Sequence, residues 1–509
     1  MVSSFTLPRL DTLSLPELIG QMIVVRASGH LFDHQIRYPQ WEANNHQLEK
    51  WLGELNIGGV ILLGGSAAEV AWRSHQLQNW AKTPLLIAAD IEEGVGQRFS
   101  GATWFPPPMA LGEIAKQDLN LAKYYADKMG EITAQEALAI GINWILAPIV
   151  DVNNNPANPV INIRAWSDSP AIVADLSSAF IQGAKKFSVL TTAKHFPGHG
   201  DTEVDSHLDL PTLPHTEARL REIELPPFQQ AIATGVDAVM TAHLMIPSWD
   251  KRYPATLSPE ILTHRLRQQL GFTGLIVTDA LMMGGITKYA PEEEIAIMAV
   301  EAGADILLMP PKPEIAIAAI QQAVENGRLK EEKIKAAVTR IWQHKARVLP
   351  SQPVEFTTLA EVESRQIVEQ VITNSLRFSQ QGLPLSTFPG VGQNLIVVDD
   401  VTDCPYLDRH TPSLAIPKRF GYQTRLVDNH ILNSSLISAP HNTILQVFLR
   451  GNPFRGEAGL TADTKQFYQE LINNNCLQAL VIFGSPYVLD WFLSKIPEKL
   501  AFIGSYSQT

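Results

Sequence analysis

The segment KHFPGHGDTEVDSH, residues 194–207, concentrates side chains that can do chemistry. It holds three histidines, three acidic residues and one lysine within fourteen residues. Such a density of titratable groups is rarely used to fill a protein core, where charged side chains are uncommon unless they are paired. The segment is therefore a candidate functional site, and its residue types would suit a metal, a nucleophile or a proton shuttle.

The histidine spacing bears first on metal binding. His195 and His199 lie four residues apart, a spacing that places two ligands on one face of a helix. Pro197 stands between them, and a proline inside a helix costs about 3 kcal/mol, so the segment is predicted to be a glycine-rich loop that follows a strand. A metal held by loop residues remains an alternative, but we expect neither a metal nor an organic cofactor.

The end of the segment suits proton transfer better than nucleophilic catalysis. Ser206 lacks the G-x-S-x-G pattern of a nucleophile elbow. Asp205 and His207, in contrast, are two residues apart, and a carboxylate beside an imidazole can fix its tautomer and maintain its basicity. We therefore predict that Asp205 and His207 form an acid–base dyad. The alternative is a histidine that only decorates a solvated loop.

These residues need a scaffold, and short apolar runs indicate one. Eight nearly continuous apolar runs alternate with helix-like stretches through the first two-thirds of the chain, as is typical of parallel strands buried on both faces. The pattern predicts an α/β protein with a (β/α)8, TIM-like barrel rather than a doubly wound fold, because no G-x-G-x-x-G follows an early strand. The predicted strands are 22–27, 59–64, 85–90, 144–151, 188–195, 238–243, 275–280 and 305–309.

Several of these strands end on or beside a polar residue. In a barrel the carboxyl ends of the strands form the catalytic face, so we expect these side chains to meet there. They are Asp90, Asp151, His195, His243 and Asp279. For Asp279 the alternative is an N-cap of the next helix, and for His243 it is a buried polar group with satisfied hydrogen bonds.

The last third of the chain predicts a second domain. A Pro-containing linker near 349–359 and a helical pattern precede five further strand-like runs. We therefore expect a catalytic barrel over 1–348, a linker and connecting helix over 349–372, and a smaller α/β sandwich over 373–509. Its predicted strands are 394–400, 424–428, 443–450, 479–484 and 500–506.

The bulk composition limits partners and compartment. The formal net charge is −12, which argues against a nucleic-acid or anionic-membrane partner. Only two cysteines occur, so a disulfide framework is not expected and a reduced compartment is favoured. The first residues show no signal-peptide pattern, and no apolar run approaches the roughly 20 residues of a membrane span. We expect a cytoplasmic protein with neither a nucleic-acid nor a membrane partner.

Four segments, in barrel order, resemble glycoside hydrolase family 3. KHFPGHGDTEVDSHLDLP resembles the signature loop of its β-N-acetylglucosaminidase branch, and APIVDVNNNPANPVINIRAW resembles the segment with a sugar-binding arginine. PATLSPEILTHRLRQQLGFTGLIVTDALMM resembles the segment with the nucleophilic aspartate. DIEEGVGQR departs from the usual Asp-Gln-Glu-Gly-Gly-Arg-Val-Gln-Arg but keeps its first and last positions. The resemblance covers about residues 15–345.

The resemblance implies a role for each matched residue. Asp279 would be the nucleophile of a retaining glycosidase, and His207, supported by Asp205, would be the acid–base. The residues implied in sugar binding are Asp90, Arg98, Arg164, Lys194 and His195. Two of these have structural alternatives: Lys194 could be a solvated strand end, and Arg164 could pair with Asp151 or Asp168.

The resemblance also implies a substrate and a division of labour. We expect an exo-acting β-N-acetylglucosaminidase whose partner is a carbohydrate, an N-acetylglucosaminide from peptidoglycan fragments. Because the barrel loop carries the acid–base in this branch, residues 373–509 are expected to contribute no catalytic group. The alternatives are a β-glucosidase of the same family, an N-acetylglucosaminide phosphorylase, and a sugar-binding barrel without turnover.

Overall fold

The computed structural model describes residues 6–206, 208–349, 356–379, 392–402, 404, 406–432, 443–450 and 459–508. The chain divides into two compact units. The first, here called the barrel unit, comprises Met1–Asn155 and Arg164–Val368. The second unit comprises Pro156–Ile163 and Glu369–Thr509.

The barrel unit contains eight parallel strands, which confirms the predicted fold class. The strands pair in the order β7-β6-β5-β4-β3-β2-β1-β8, and a bridge between Val277 and Ile306 joins the last strand to the first. The strands are β1 (Ile23–Ser28), β2 (Gly59–Leu63), β3 (Leu86–Ala89), β4 (Trp144–Ile145), β5 (Leu190–Phe196), β6 (Ala238–Thr241), β7 (Leu275–Val277) and β8 (Leu307–Leu308).

Helices follow the strands as the amphipathic stretches predicted. The α-helices are α1 (Leu15–Gln21), α2 (Asn45–Glu54), α3 (Ala67–Trp80), α4 (Met109–Ala115), α5 (Leu119–Ala139), α6 (Pro170–Ala184), α7 (Glu217–Arg219), α8 (Leu225–Thr234), α9 (Gly284–Thr287), α10 (Glu292–Ala302), α11 (Pro313–Glu325) and α12 (Glu331–Lys345). Two π-helical segments, Leu220–Glu224 and Glu260–Gln269, are also present. Among the described residues, none of the helices has the length and apolarity to cross a membrane.

Strand β4 is much shorter than the predicted strand 144–151. Its continuous ladder with both neighbours covers Trp144 and Ile145, and further along the chain a single parallel bridge joins Ile149 to Lys194 of β5. Pro148 lies between these two pairings, and because it lacks a backbone N–H it cannot donate to a ladder at that point. The residues from Leu146 to Asp151 are all buried. Asp151 therefore follows β4 on a stretch of buried backbone.

Two of the outer helices approach one another through glycines. A Cβ built on Gly130 of α5 would overlap the carbonyl oxygen of Phe180 in α6, and one on Gly183 would overlap that of Asp127. Backbones can come this close only where a side chain is absent. The close packing of α5 against α6 therefore depends on these two glycines as well as on buried apolar side chains such as Phe180.

The second unit is a smaller α/β layer built on one mixed sheet. Its strands pair in the order β11-β10-β12-β13-β14-β9, all parallel except β9 against β14. Its elements are α13 (Val362–Ser375), which begins before the division between the units, β9 (Arg377–Phe378), β10 (Gln393–Val398), α14 (Pro412–Arg419), β11 (Gln423–Asp428), β12 (Thr443–Leu449), α15 (Ala462–Asn473), β13 (Leu477–Gly484), α16 (Pro486–Leu493) and β14 (Ala501–Ser505).

The five strands predicted for the second unit are all present. Their apolar residues form a core with α15 and α16 that includes Leu445, Val447, Tyr468 and Phe492. The two-residue strand β9 was not predicted, because so short a segment carries no periodicity of its own.

Candidate active site

The polar residues expected at the catalytic face follow neighbouring strands of the barrel unit. Asp90 comes directly after β3, Lys194 and His195 lie within β5 close to its end, and Asp279 comes two residues after β7. Because parallel strands bring their carboxyl ends to one edge, these residues lie around a single rim.

Lys194 is the centre of a buried ionic cluster. Its side chain is 1% exposed, and its Nζ lies 2.8 Å from Asp90 Oδ1 and 2.7 Å from Glu92 Oε1. Glu92 in turn accepts from Arg164 through Nε at 2.9 Å and through the terminal nitrogen Nη2 at 2.8 Å, a bidentate pair. Lys194 is therefore buried and not solvated, and the carboxylate beside Arg164 is Glu92.

The charges in this cluster stabilise one another. Burial alone would raise the pKa of the Glu92 carboxyl, but Arg164 and Lys194 hold it well below its usual range. Burial alone would lower the pKa of Lys194, but Asp90 and Glu92 raise it above its usual value. Both cations and Glu92 thus stay ionised, and Asp90, whose side chain is 35% exposed, is the member of the cluster most open to a ligand.

Asp151 fixes the backbone where β5 ends. Its carboxylate accepts from the backbone N–H of His195 at 3.1 Å and from that of His199 at 2.7 Å. It also lies 2.8 Å from His195 Nδ1. Burial alone would raise the pKa of Asp151, but His195 and His199 bring it below its usual value. Since an ionised carboxylate only accepts, Nδ1 of His195 carries a hydrogen, which leaves Nε2 to accept from a ligand hydroxyl when the ring is neutral.

His199 braces the loop that carries the predicted dyad. Its Nε2 lies 2.9 Å from Ser206 Oγ, and its Nδ1 lies 2.9 Å from Thr202 Oγ1. Burial lowers the pKa of His199 to about 4, although Asp151 and Asp279 favour its charged form. A neutral ring can donate through one nitrogen and accept through the other, so His199 ties both hydroxyls into the loop.

The two members of the predicted dyad differ in what the structure describes. Asp205 is buried, 3% exposed, and its carbonyl oxygen accepts from the backbone N–H groups of Leu208 and Asp209. His207 lies outside the described residues. The loop nevertheless contacts the segment just beyond Asp279, because the N–H of Gly285 donates to the carbonyl oxygen of Ser206 at 3.1 Å.

Asp279 is partly exposed and is not a helix cap. Helix α9 begins only at Gly284, with Met283 at the N-cap position, so the N-cap alternative is wrong. The Asp279 N–H donates to Thr241 Oγ1 at 3.4 Å, and Asp279 Oδ1 accepts from the next backbone N–H at 2.7 Å. His243 is fully buried and donates through Nε2 to the carbonyl oxygen of Ala280 at 3.0 Å, which holds the neighbouring peptide.

Arg98 is the most exposed of the predicted binding residues. Its Nε donates to the carbonyl oxygen of Asp90 at 2.9 Å, and the residue is otherwise open to solvent. The loop from Asp90 to Arg98 also includes Gly94 at φ 86°, a left-handed conformation that favours glycine. The kept first and last positions of DIEEGVGQR are therefore in contact with each other.

Two residues of this region are not among the predicted site residues. Glu92 lies inside the segment DIEEGVGQR, of which only the first and last positions are predicted to bind sugar, and Asp151 is predicted only as a polar strand end. Asp201, a further acidic residue of the segment 194–207, lies 2.8 Å from His215 Nε2 and 3.4 Å from an Arg219 nitrogen. Each of these contacts joins residues distant in sequence, so local patterns carried little signal for them.

The residues that the structure describes form no cluster of side chains suited to bind a metal ion. Among these residues, no group of three or more His, Cys, Asp or Glu side chains is arranged to hold an ion. The acidic and histidine side chains of the site pair instead with a cation, a hydroxyl or a backbone N–H. The described donor set therefore suits hydrogen bonding to a polyhydroxylated ligand.

Two family models match the chain. Residues 14–344 match the glycosyl hydrolase family 3 N-terminal domain, and residues 390–509 match the bacterial glycosyl hydrolase family 3 C-terminal domain. Apart from residues 156–163, the first match falls in the barrel unit that carries the site, and the second falls in the second unit.

Curated relatives match somewhat more than half of the chain. Beta-hexosaminidase A of Pseudoalteromonas piscicida is 34% identical over 333 residues, which cover 59% of this chain and 55% of that protein. The beta-N-acetylglucosaminidase/beta-glucosidase of Cellulomonas fimi is 30% identical over 302 residues, which cover 57% of this chain and 52% of that protein. The chain thus spans about half the length of these relatives.

A solved structure matches both units. The glycoside hydrolase family 3 beta-N-acetylglucosaminidase from Paenibacillus sp. str. FPU-7 is 30% identical and superposes with a TM-score of 0.82, covering 98% of this chain and 94% of that one. The expected family is therefore confirmed, and the solved structure that the chain matches bears the name of the expected β-N-acetylglucosaminidase branch. Together with the barrel and the site at its rim, these matches establish that the chain belongs to glycosyl hydrolase family 3.

Proposed function

We propose that this protein is a retaining, exo-acting β-N-acetylhexosaminidase that removes terminal β-N-acetylglucosamine. The observation that carries the proposal is the joint placement of three features at one rim: the partly exposed Asp279, the His199-braced loop and the buried Lys194 cluster. The similarity to hexosaminidases supports the sugar, and the geometry supports a pocket that binds hydroxyl groups.

In the proposed mechanism, Asp279 attacks the anomeric carbon. A retaining glycosidase needs a carboxylate nucleophile and an acid that protonates the departing oxygen. His207 would protonate that oxygen and then deprotonate the water that hydrolyses the glycosyl-enzyme, while Asp205 fixes its tautomer. A histidine in this role also avoids a second negative charge beside the nucleophile.

The remaining predicted residues would bind the terminal sugar. Asp90 and Lys194 offer an acceptor and a donor within one ion pair, and His195 offers Nε2. Arg164 is held in place by Glu92, and Arg98 would close the pocket from the β3 loop. Hydrogen bonds to charged groups contribute roughly 1.5–3 kcal/mol each, so a few such bonds suffice to orient one sugar.

The substrate source, compartment and domain roles are part of the proposal. We propose that the substrates are peptidoglycan fragments and that the protein acts in the cytoplasm, where its two free thiols, Cys404 and Cys476, would stay reduced. The catalytic domain would span 1–348, the linker and connecting helix 349–372, and the second domain 373–509. Every proposed catalytic and binding residue precedes position 348.

The test is hydrolysis of p-nitrophenyl N-acetyl-β-glucosaminide, with the corresponding β-glucoside as comparison. Proton NMR of the first product should show the β-anomer, as retention requires. Asp279→Ala should lower kcat by at least about 10⁴-fold, whereas Asp209→Ala, an exposed aspartate of the β5 loop, should leave it unchanged. Azide should partly restore turnover of Asp279→Ala by attacking from the vacated side.

Each other outcome has a defined meaning. Near-normal turnover by Asp279→Ala would remove it as the nucleophile, and preference for the glucoside would reassign the sugar. A sugar 1-phosphate formed in phosphate buffer would indicate a phosphorylase. Binding of N-acetylglucosamine without turnover would indicate a silent sugar-binding barrel, and loss of activity with a chelator would indicate a metal-dependent enzyme.

A further inference from the structure

The loop that follows β1 carries a pair of stacked aromatic rings with no role in the site described above. The ring centroids of Tyr38 and Trp41 lie 5.6 Å apart with 22° between their planes. Arg26 lies beside both, with its Cζ 5.3 Å from the Tyr38 centroid and 5.5 Å from the Trp41 centroid. Tyr38 is 38% exposed. We call these two rings the Tyr38–Trp41 platform.

The platform is held in place by a nearly buried ion pair. Arg26 donates through Nε and Nη2 to Glu42 Oε1, both at 3.3 Å. Its side chain is 14% exposed and that of Glu42 only 2%. Glu42 neutralises the guanidinium, so the platform presents ring surface without a net charge. Such a surface suits a ring with C–H groups on one face, which describes a pyranose.

The strand register places the platform at the rim of the site. Arg26 pairs with Ile61 of β2, and Ile61 pairs with Ala88 of β3. Adjacent strands are about 4.8 Å apart, so the Cα atoms of Arg26 and Ala88 are roughly 10 Å apart. Asp90 is two residues beyond Ala88 and so lies on the same side of the sheet. Arg26 and Asp90 are thus separated by about 12 Å between Cα atoms.

The barrel order places the platform across the rim from Lys194. Strand β1 is two strands away from β3, which precedes Asp90, and two strands away from β7, which precedes Asp279. The loop after β1 therefore borders the mouth of the same pocket, opposite β5. A sugar chain whose terminal residue occupies the pocket could reach the platform with its next ring. The separation of about 12 Å between the Cα atoms of Arg26 and Asp90 is comparable with the length of a disaccharide.

We propose that the Tyr38–Trp41 platform is a second sugar subsite, which stacks the leaving-group pyranose of an oligosaccharide substrate. The proposal rests on the proposed hydrolysis of N-acetylglucosaminides. It implies that the enzyme distinguishes its substrates by the group attached to the terminal sugar, with ring-bearing leaving groups favoured over small ones. The binding free energy at this subsite would come from ring stacking and from the exclusion of water between the sugar and the exposed part of Tyr38.

The experiment compares two substrates that differ only in the leaving group. Diacetylchitobiose carries a second pyranose, and methyl N-acetyl-β-glucosaminide carries a methyl group in its place. Tyr38→Ala should lower kcat/KM about fivefold to tenfold for the disaccharide and leave it unchanged for the methyl glycoside. Tyr38→Phe keeps the ring and should behave as wild type on both.

A matched control separates the subsite from the general loss of a surface ring. Tyr124 lies on α5 and is 47% exposed, so Tyr124→Ala removes the same side chain away from the rim and should change neither substrate. Equal losses on both substrates for Tyr38→Ala, or no loss on either, would overturn the subsite.

A binding measurement keeps the two proposals distinguishable. If wild type hydrolyses neither substrate, the proposed function fails, and tryptophan fluorescence titrations with diacetylchitobiose then decide the subsite. Weaker binding of the disaccharide by Tyr38→Ala, with unchanged binding of N-acetylglucosamine, would support it. Equal affinity of wild type and Tyr38→Ala for the disaccharide would refute it.

Discussion

Replacing Glu92 by glutamine tests the electrostatic logic of the site. The variant keeps the size of the side chain but removes the charge that faces both Lys194 and Arg164, at 2.7 Å and 2.8 Å. The side chain of Glu92 is 2% exposed, so water cannot replace that charge. Removing one partner of a buried ion pair costs about 3–5 kcal/mol. Since domains unfold with about 5–15 kcal/mol in total, the variant should lose a large share of its stability.

The loss should depend on pH in a defined direction. The pKa of Glu92 is depressed in the folded protein, so its contribution is present above the carboxyl pKa of the unfolded chain, about 4.3. It is lost as the pH falls through the folded-state pKa. The difference in unfolding free energy between wild type and Glu92→Gln should therefore be full above about pH 5 and shrink in more acidic solution.

Urea unfolding followed by tryptophan fluorescence measures this difference. Nine of the ten tryptophans precede residue 349, so the signal reports mainly on the barrel unit. The control is Glu131→Gln, because Glu131 also pairs with two lysines, Lys128 and Lys186, but its side chain is 25% exposed. That variant should lose no more than about 1 kcal/mol. If Glu92→Gln were destabilised no more than Glu131→Gln, or equally at every pH, the interpretation of the cluster would be wrong.

Three further variants probe other features. Gly130→Ala should destabilise the protein by about 1–3 kcal/mol, because its Cβ would overlap the Phe180 carbonyl oxygen. The control is Gly53→Ala in α2, whose Cβ would make only an ordinary van der Waals contact, so this variant should be neutral or stabilising. The midpoints of urea unfolding compare the two variants. Lys345 is buried, which lowers its pKa to about 7. Between about pH 7 and 10 the lysine is therefore protonated in the unfolded chain but neutral in the folded protein. The unfolding free energy should rise across this range by at most about 1.4 kcal/mol per pH unit. Lys345→Met should remove that rise, and an identical slope in both proteins would contradict the assignment. His199→Ala should lower kcat/KM by about 10²-fold by loosening the β5 loop, and unchanged kinetics would show that the brace is dispensable.

The barrel could be predicted from the sequence because its strands are apolar on both faces. A continuous apolar run followed by a polar residue marks both a buried strand and its catalytic end, and β3, β5 and β7 were found in this way. The length of β4 could not be predicted from apolarity alone. Pro148 is itself compatible with an apolar run, yet its missing N–H interrupts the ladder, which meets β5 again only at the bridge between Ile149 and Lys194.

The ionic cluster could be predicted only in part. Lys194 and Arg164 were found through resemblance, but their common partner Glu92 lies 102 and 72 residues away along the chain. An acidic residue on a loop is usually solvated, and nothing local to Glu92 distinguishes it from that case. Its burial follows from the pairing of β3, β4 and β5, which is a property of the whole barrel.

The balance of charge in this cluster has a consequence for how the pocket responds to its surroundings. Asp90 and Glu92 supply two negative charges, and Lys194 and Arg164 supply two positive ones. The charges of the cluster therefore sum to zero without bound ions from solution, and a neutral sugar can bind without displacing any such ions. Buried pairs are screened far less than surface pairs. We therefore expect KM for a neutral substrate to change little with ionic strength, whereas long-range attraction would make it depend strongly on salt.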